Sequence, residues 1–286
     1  MMLIARRILN RLRGNAIHLF LLSPPLCGST LVAQLLATSS RVTVFPEHGE
    51  GQFLPEAKPI LFVKERWNPA LPIDWQEVKR IFLSYWSPLR LIRFEKSPPL
   101  VVRALELEQT FDNAHFLITI RNPYAQIEGI VRRQWPLNHH GPYGPSSVPS
   151  GLTTPGDAAR FWVRVAQYQL RNIEQLARTC FFSYEQLTRN PDATIRRIQA
   201  FLPAIGTLDK DIRFTAHNIT QQPIQGIRNL NAEKIRQLTP DQIREINGVL
   251  SRHRNLLDRF GYRLMDERDG EIQSAISPAD GAEASG

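Results

Sequence analysis

Apolar residues run from Ile17 through Leu19 to Leu22, stop at Ser23-Pro24-Pro25, and resume at helical spacing from Thr30 after a single glycine, Gly28. That pattern predicts a strand, a tight loop and a helix. Short strands are predicted at Arg41 to Phe45, Leu91 to Phe94, His115 to Ile120 and Cys180 to Ser183. Between them, Trp75 to Trp86 reads as an amphipathic helix with Val78, Ile81, Phe82, Tyr85 and Trp86 inward, and Ser97-Pro98-Pro99 as a capped helix start. Tyr124 opens another helix after Arg121-Asn122-Pro123. Asp157 to Arg178 is a long one with Phe161, Val165, Tyr168, Ile173 and Leu176 on one side. Two helical pieces flank Asn190-Pro191, and Thr239 to Tyr262 reads as a single capped helix closing at Gly261. Strands alternate with helices and no internal repeat is present, the signature of an α/β domain built on a parallel sheet.

The first strand, loop and helix suit an anion. Gly28 permits a tight turn, the N–H groups of Ser29, Thr30 and Leu31 are the unpaired donors of a helix start, and two hydroxyls stand among them. An ordinary turn capped by Ser29 or Thr30 is an equally good reading of this stretch. The Walker pattern needs two glycines and a lysine, so a standard ATP or GTP hydrolase is disfavoured.

Other candidate chemistry stands at strand ends, where α/β folds bind ligands. Glu47, His48 and Glu50 follow the second strand, and any of them can serve as a general base. Lys96 follows the third strand. Arg121 ends the fourth, where a guanidinium can fork onto a phosphate or sulfate or pair with a neighbouring acid. Residues 136–156 are rich in Pro, Gly and Ser and read as a lid or substrate loop. His139-His140 within it has no third ligand at a metal spacing, so no metal is expected. Residues 203–238 read as an irregular polar segment able to close over a ligand.

Composition narrows the class. A chain of 286 residues with 42% hydrophobic content can bury a substantial core, and it is expected to form one domain over 15–265. Residues 1–14 carry four arginines among apolar positions and read as a solvated basic segment. No run reaches the roughly eighteen apolar residues a membrane span needs. Cys27 and Cys180 are the only cysteines, which leaves no disulfide framework and points to a reducing, cytoplasmic setting. The chain carries +8 overall; residues 266–286 hold a net of −5 and are expected to be disordered, leaving the body at +13. A polyanionic ligand fits that charge, whereas no nucleic-acid module is recognisable.

Taken in order, these pieces resemble the PAPS-dependent sulfotransferases over roughly residues 17–265, nearest to the carbohydrate and protein-tyrosine branches. Pro25-Leu26-Cys27-Gly28-Ser29-Thr30-Leu31 is similar to that family's 5′-phosphosulfate loop, P-(R/K)-S-G-(S/T)-T-L. Glu95-Lys96-Ser97-Pro98 resembles its E-K-(S/T)-P segment, and Phe116 to Arg133 its strand, R-(D/N)-P and helix for the 3′-phosphate. Tyr184-Glu185-Gln186-Leu187 with Pro191, and Leu238 through Tyr262, resemble its last two conserved stretches.

The resemblance implies a three-layer, P-loop NTPase-like fold with a central parallel sheet flanked by helices. It also implies PAPS as cosubstrate, PAP as product, no metal, and in-line sulfuryl transfer to a hydroxyl or amine on a small-molecule, carbohydrate or peptide acceptor. Cofactor contacts would come from Cys27, Gly28, Ser29, Thr30, Leu31, Arg121, Gly129 and Arg133, with Glu47 as base, His48 second to it, and Lys96 beside the transferring group. Two positions depart from the pattern. Leu26 replaces the loop cation, a loss worth about 3 kcal/mol where one stabilising donor is removed, and Gly129 replaces a 3′-phosphate serine. Lys96, Arg103 or Arg132 can supply the missing charge from another direction; the alternative is a non-catalytic relative that binds PAP, PAPS or another nucleotide.

Overall fold

The computed structural model describes residues 16–134, 149, 151–214 and 224–265. The basic N-terminal segment, His139-His140 and the acidic tail lie outside the described residues, as do the side chains of Glu47, His48 and Arg133. In chain order the strands are β1 Ile17–Leu22, β2 Val42–Val44, β3 Ile92–Glu95, β4 Ala114–Ile120, β5 Thr179–Ser183, β6 Arg213–Phe214 and β7 Ile224–Gln225. The helices are α1 Ser29–Ala37, α2 Pro46–Gly49, α3 Lys58–Leu61, α4 Trp75–Tyr85, α5 Ala104–Thr110, α6 Pro123–Gln134, α7 Pro155–Gln175, α8 Tyr184–Arg189, α9 Pro191–Phe201, α10 Asn231–Ile235, α11 Pro240–Leu250 and α12 Arg254–Arg259. The chain divides into two compact units, residues 1–119 with 168–229 and residues 120–167 with 230–286.

The first unit is built on a central parallel sheet of order β2-β3-β1-β4-β5, flanked by helices. β1 lies in the middle, parallel to β3 with Leu19 opposite Phe94 and to β4 with Phe20 opposite Phe116. Both faces of β1 are covered, which is why its sequence is a continuous apolar run rather than an alternation. Leu19 and Leu21 join a cluster with Leu31, Leu35, Phe182 and Ile198. Phe20 enters an aromatic group on the other face, its ring centroid 5.1 Å from Phe111 and 5.7 Å from Phe116. Each such side chain contributes about 2 kcal/mol by leaving water.

Several boundaries differ from the sequence expectation for local reasons. α4 ends at Tyr85 because Trp86 turns extended, with ψ 134°. Trp86 is buried and its Nε1 donates to the Phe94 carbonyl, whereas Tyr85 is 38% exposed and points outward, its hydroxyl donating to Glu56. After β3, Pro98–Val102 is a 3-10 turn without a side-chain cap. Ser97 does not cap it because its Oγ accepts the Gln52 N–H at 3.1 Å. Part of the expected irregular segment 203–238 is ordered: β6 pairs antiparallel with β7, and Asn231–Ile235 is helical.

α7 begins two residues earlier than the spacing suggests, at Pro155. Thr154 accepts the Asp157 N–H at 3.1 Å while the Asp157 carboxylate accepts the Thr154 N–H at 3.1 Å, a reciprocal cap. Its buried face carries Trp162, Gln169 and Asn172, while Tyr168 and Ile173 are half-buried. In the second unit the expected closing helix is three pieces: α11, capped by a Thr239–Gln242 capping box, a 3-10 turn at Ser251–His253, and α12. Gly261, at φ 74°, ends α12 in the left-handed region, and the Tyr262 N–H returns to the Leu257 carbonyl at 2.9 Å.

Candidate functional site

The loop from β1 to α1 is set by its backbone. The Cys27 N–H bonds the Pro24 carbonyl at 3.3 Å, Leu26 takes φ 68°, and Gly28 takes φ 83° and ψ 20° at the N-cap of α1. Among the described residues no side chain caps the helix, so neither Ser29 nor Thr30 makes the ordinary turn that the sequence allowed. The first N–H groups therefore accompany two half-exposed hydroxyls, the arrangement a helix offers to an anion. Cys27 and Leu31 are buried on either side. A Cβ at Gly28 would lie 2.8 Å from Cδ2 of Tyr184, whose hydroxyl donates to the Arg228 carbonyl at 3.1 Å. The tyrosine after β5 thus backs the glycine of the loop.

Beneath this loop the two central strands part. The chain leaves β1 toward β2 on one side and leaves β3 for β4 on the other, so the sheet's topological switch point falls between β1 and β4. Their ladder ends with Leu22 opposite Ile118. The carbonyls that follow are met by one fully buried amide: Gln169 Nε2 donates to Leu22 O at 2.6 Å and to Thr119 O at 2.8 Å. Asn172 Nδ2 donates to Gln169 Oε1 at 3.2 Å and to Val101 O at 2.9 Å. Neither residue was singled out from the sequence, although two amides three apart on an apolar helix face are the signal that could have found them.

The ends of β2 and β3 hold a polar cluster. Glu47 and His48 belong to the short helix α2, whose last residue, Gly49, accepts the Lys96 N–H at 3.2 Å. Lys96 is completely buried, and its Nζ lies 2.7 Å from Glu50 Oε1; Glu50 Oε2 accepts Gln52 Nε2 at 2.6 Å. Glu95, equally buried, accepts the N–H groups of Gly51 at 2.7 Å and Ser97 at 2.8 Å. Burial pushes its carboxyl up to about 7 against the lowering effect of those hydrogen bonds, and the Glu50 charge adds to the rise. The structure thus brings Lys96 to Glu50 and ties the segment carrying Glu47 and His48 to the end of β3.

The second unit carries the remaining candidates. Asn122 caps α6 by accepting the N–H groups of Tyr124 at 3.0 Å and Ala125 at 3.2 Å, with Pro123 at the first helical position. Arg121 is 3% exposed, its Nε donating to Asn231 Oδ1 at 2.7 Å, while its carbonyl accepts the Trp162 indole at 3.1 Å. About two turns on, Glu128 pairs with Lys234 at 2.8 Å and with Arg132 at 3.1 Å, and Gly129 beside it is buried. Arg133 follows on the same helix. Desolvation lowers the Lys234 ammonium although Glu128 opposes the shift. Of the cations named as substitutes for a loop charge, Lys96 and Arg132 are thus ion-paired. Arg103, in the first unit, holds the Asn68 and Pro69 carbonyls and Glu106. Asn231 and Lys234, on α10, escaped the sequence reading because five residues are too few to show a helical period.

A family model described as the sulfotransferase family matches residues 19–204. No curated protein sequence matches the chain significantly. Among solved structures, the sulfotransferase domain from the Synechococcus PCC 7002 olefin synthase is 18% identical, with a TM-score of 0.50 over 88% of this chain and 96% of its own. Sulfotransferase STF9 from Mycobacterium avium is 14% identical, with a TM-score of 0.50 over 87% of this chain and 78% of its own. The sulfotransferase domain from the curacin biosynthetic pathway is 20% identical, with a TM-score of 0.48 over 87% of this chain and 99% of that one.

Proposed function

The chain belongs to the sulfotransferase family, and from that premise we propose that it transfers a sulfuryl group from PAPS to a hydroxyl or amine acceptor by in-line displacement. The observation that carries this reading is the uncapped start of α1 behind a left-handed Gly28, where a side chain would collide with Tyr184. In this assignment the backbone of Cys27 to Leu31 holds the 5′-phosphosulfate, with the Ser29 and Thr30 hydroxyls as added donors. Arg121, oriented through Nε by Asn231, holds the 3′-phosphate with Arg133, and the α6 backbone at Gly129 borders it.

The acceptor oxygen forms its bond to sulfur as the bond from sulfur to the 5′-phosphate oxygen breaks and PAP leaves with the electron pair. The acceptor proton passes to the Glu47 carboxylate, with His48 as the second candidate. Lys96, already paired with Glu50, supplies positive charge at the end of β3. Such a displacement depends on positioning and charge neutralisation more than on covalent catalysis. One feature favours a second reading, binding without transfer: Leu26 brings no charge to the loop and holds a left-handed backbone, φ 68°.

Calorimetric titration of PAP into the wild type and Arg121→Ala, at fixed salt, tests the site. Micromolar or tighter binding that weakens by about 2 kcal/mol in the variant is expected for a truncated buried charge contact. No binding to either protein would discard both readings. Turnover of PAPS then separates them: Glu47→Gln should cut the rate about a hundredfold with PAP affinity unchanged, whereas a wild type that binds PAP and turns over no acceptor is a binder.

A further inference from the structure

In the second unit, the helix α10 is placed by two polar side chains. It has five residues, too few to stand as a helix on its own in water. Its two buried residues are Asn231 and Lys234, one turn apart and therefore on one face. Asn231 Oδ1 accepts Arg121 Nε at 2.7 Å, and Lys234 Nζ donates to Glu128 Oε2 at 2.8 Å. Glu128 is buried too, and its other oxygen is paired with Arg132 Nε at 3.1 Å, one turn further along α6. The contact of Asn231 with Arg121 thus depends on how α10 is seated, and the Glu128–Lys234 pair is the charge-assisted contact that seats it.

We infer that Glu128 and Lys234 are positioning residues for the 3′-phosphate: they fix α10 against α6, and through Asn231 they aim the Arg121 guanidinium. This rests on the sulfotransferase reading for the identity of the ligand and on the contacts alone for the rest. The competing role for Glu128 is charge balance. Arg121, Arg132 and Lys234 are three cations near one carboxylate; desolvation lowers the Lys234 ammonium, Glu128 opposes the shift, and the Arg132 and Arg121 charges add to it. If Glu128 only balanced that charge, removing it would leave a more positive site and tighten the hold on a phosphate. If it positions Arg121, removing it weakens that hold although the site becomes more positive. The geometry favours positioning, because the carboxylate bridges α6 and α10, whereas Arg132, on its own helix, would have sufficed to balance it.

Calorimetric titrations of PAP and of adenosine 5′-monophosphate, which lacks the 3′-phosphate, into the whole protein read the difference. Glu128→Gln should weaken PAP about tenfold, the cost of a hydrogen bond to a charged group no longer held in line, and leave the monophosphate within about twofold. Lys234→Met, which leaves Glu128 paired with Arg132, is the second variant and should show the same selective loss. Asn231→Ala should lose PAP as Glu128→Gln does, and the double variant should be no more than about twofold weaker than Asn231→Ala alone, since both act through one guanidinium. PAP binding to Glu128→Gln that is unchanged or tighter overturns positioning in favour of charge balance. Equal losses for the two nucleotides, or losses that multiply in the double variant, overturn it in favour of a general structural role. A readout without ligand keeps this apart from the sulfotransferase reading: the Arg121 Nε–H signal in NMR, assigned with Arg121→Lys, should exchange with water faster in Glu128→Gln than in the wild type. Unchanged exchange overturns the positioning whatever nucleotide binds, whereas faster exchange in a protein whose wild type binds no PAP removes the sulfotransferase reading and keeps the positioning of Arg121.

Discussion

Gly28 answers to two constraints at once. Its φ of 83° lies where any side chain pays for the contact with its own backbone, about 1 kcal/mol, and its Cβ position lies 2.8 Å from the ring of Tyr184, well inside contact distance. Gly28→Ala is therefore expected to cost about 2 kcal/mol, lowering the urea midpoint without changing the slope, and to weaken PAP binding by moving the N–H groups of α1. An alanine variant with unchanged midpoint and PAP affinity would show that the loop tolerates another geometry. The loop chemistry at Gly28, Ser29 and Thr30 was legible because it depends on residue types close together in the chain. The commitments of Lys96 to Glu50 and of Arg121 to Asn231 were not, since the partners lie 46 and 110 positions away.

The helix Pro155–Gln175 shows the same division among elements. Its apolar period announces a buried helix, but Gln169 and Asn172 interrupt that face for a reason found only where β1 and β4 separate. Gln169 supplies both of its amide protons to carbonyls at the ends of β1 and β4. Replacing it by leucine keeps the bulk and strands Leu22 O and Thr119 O; a loss of about 2 kcal/mol is expected, read as a lower urea midpoint. Gln169→Glu should be worse at neutral pH, because a carboxylate would face the same two carbonyls. A leucine variant as stable as the wild type would mean that water takes over the bridge. Short elements were the least legible: α10 and the β6–β7 pair have too few residues for a period, and Ser97 resembles a cap until the Gln52 N–H is seen to occupy its hydroxyl.

For the molecule as a whole, the alternation of strands with helices and the continuous apolar strands were enough to read an α/β fold on a parallel sheet, because that architecture follows from period and burial alone. The response of stability to pH follows instead from two buried groups with opposite shifts. Burial lowers His18 from 6.5 to about 4, with the Arg93 charge in the same direction; its Nδ1 donates to the Asp112 carbonyl at 2.7 Å. Stability from His18 is therefore present above pH 6.5 and lost as pH falls toward 4. Glu95 is raised from 4.5 to about 7, so its contribution is present below pH 4.5 and lost as pH rises through 7. Each shift is worth up to about 3 kcal/mol, and between pH 4.5 and 6.5 the two slopes oppose one another. The wild type should show nearly level stability across that window in urea titrations. His18→Gln removes the acid limb and should make stability fall steadily from pH 4.5 to 7, whereas Glu95→Gln should make it rise from pH 4 to 6.5. If both variants keep the wild-type profile, the two groups do not titrate as buried charges, and the acid limit must come from exposed carboxylates instead.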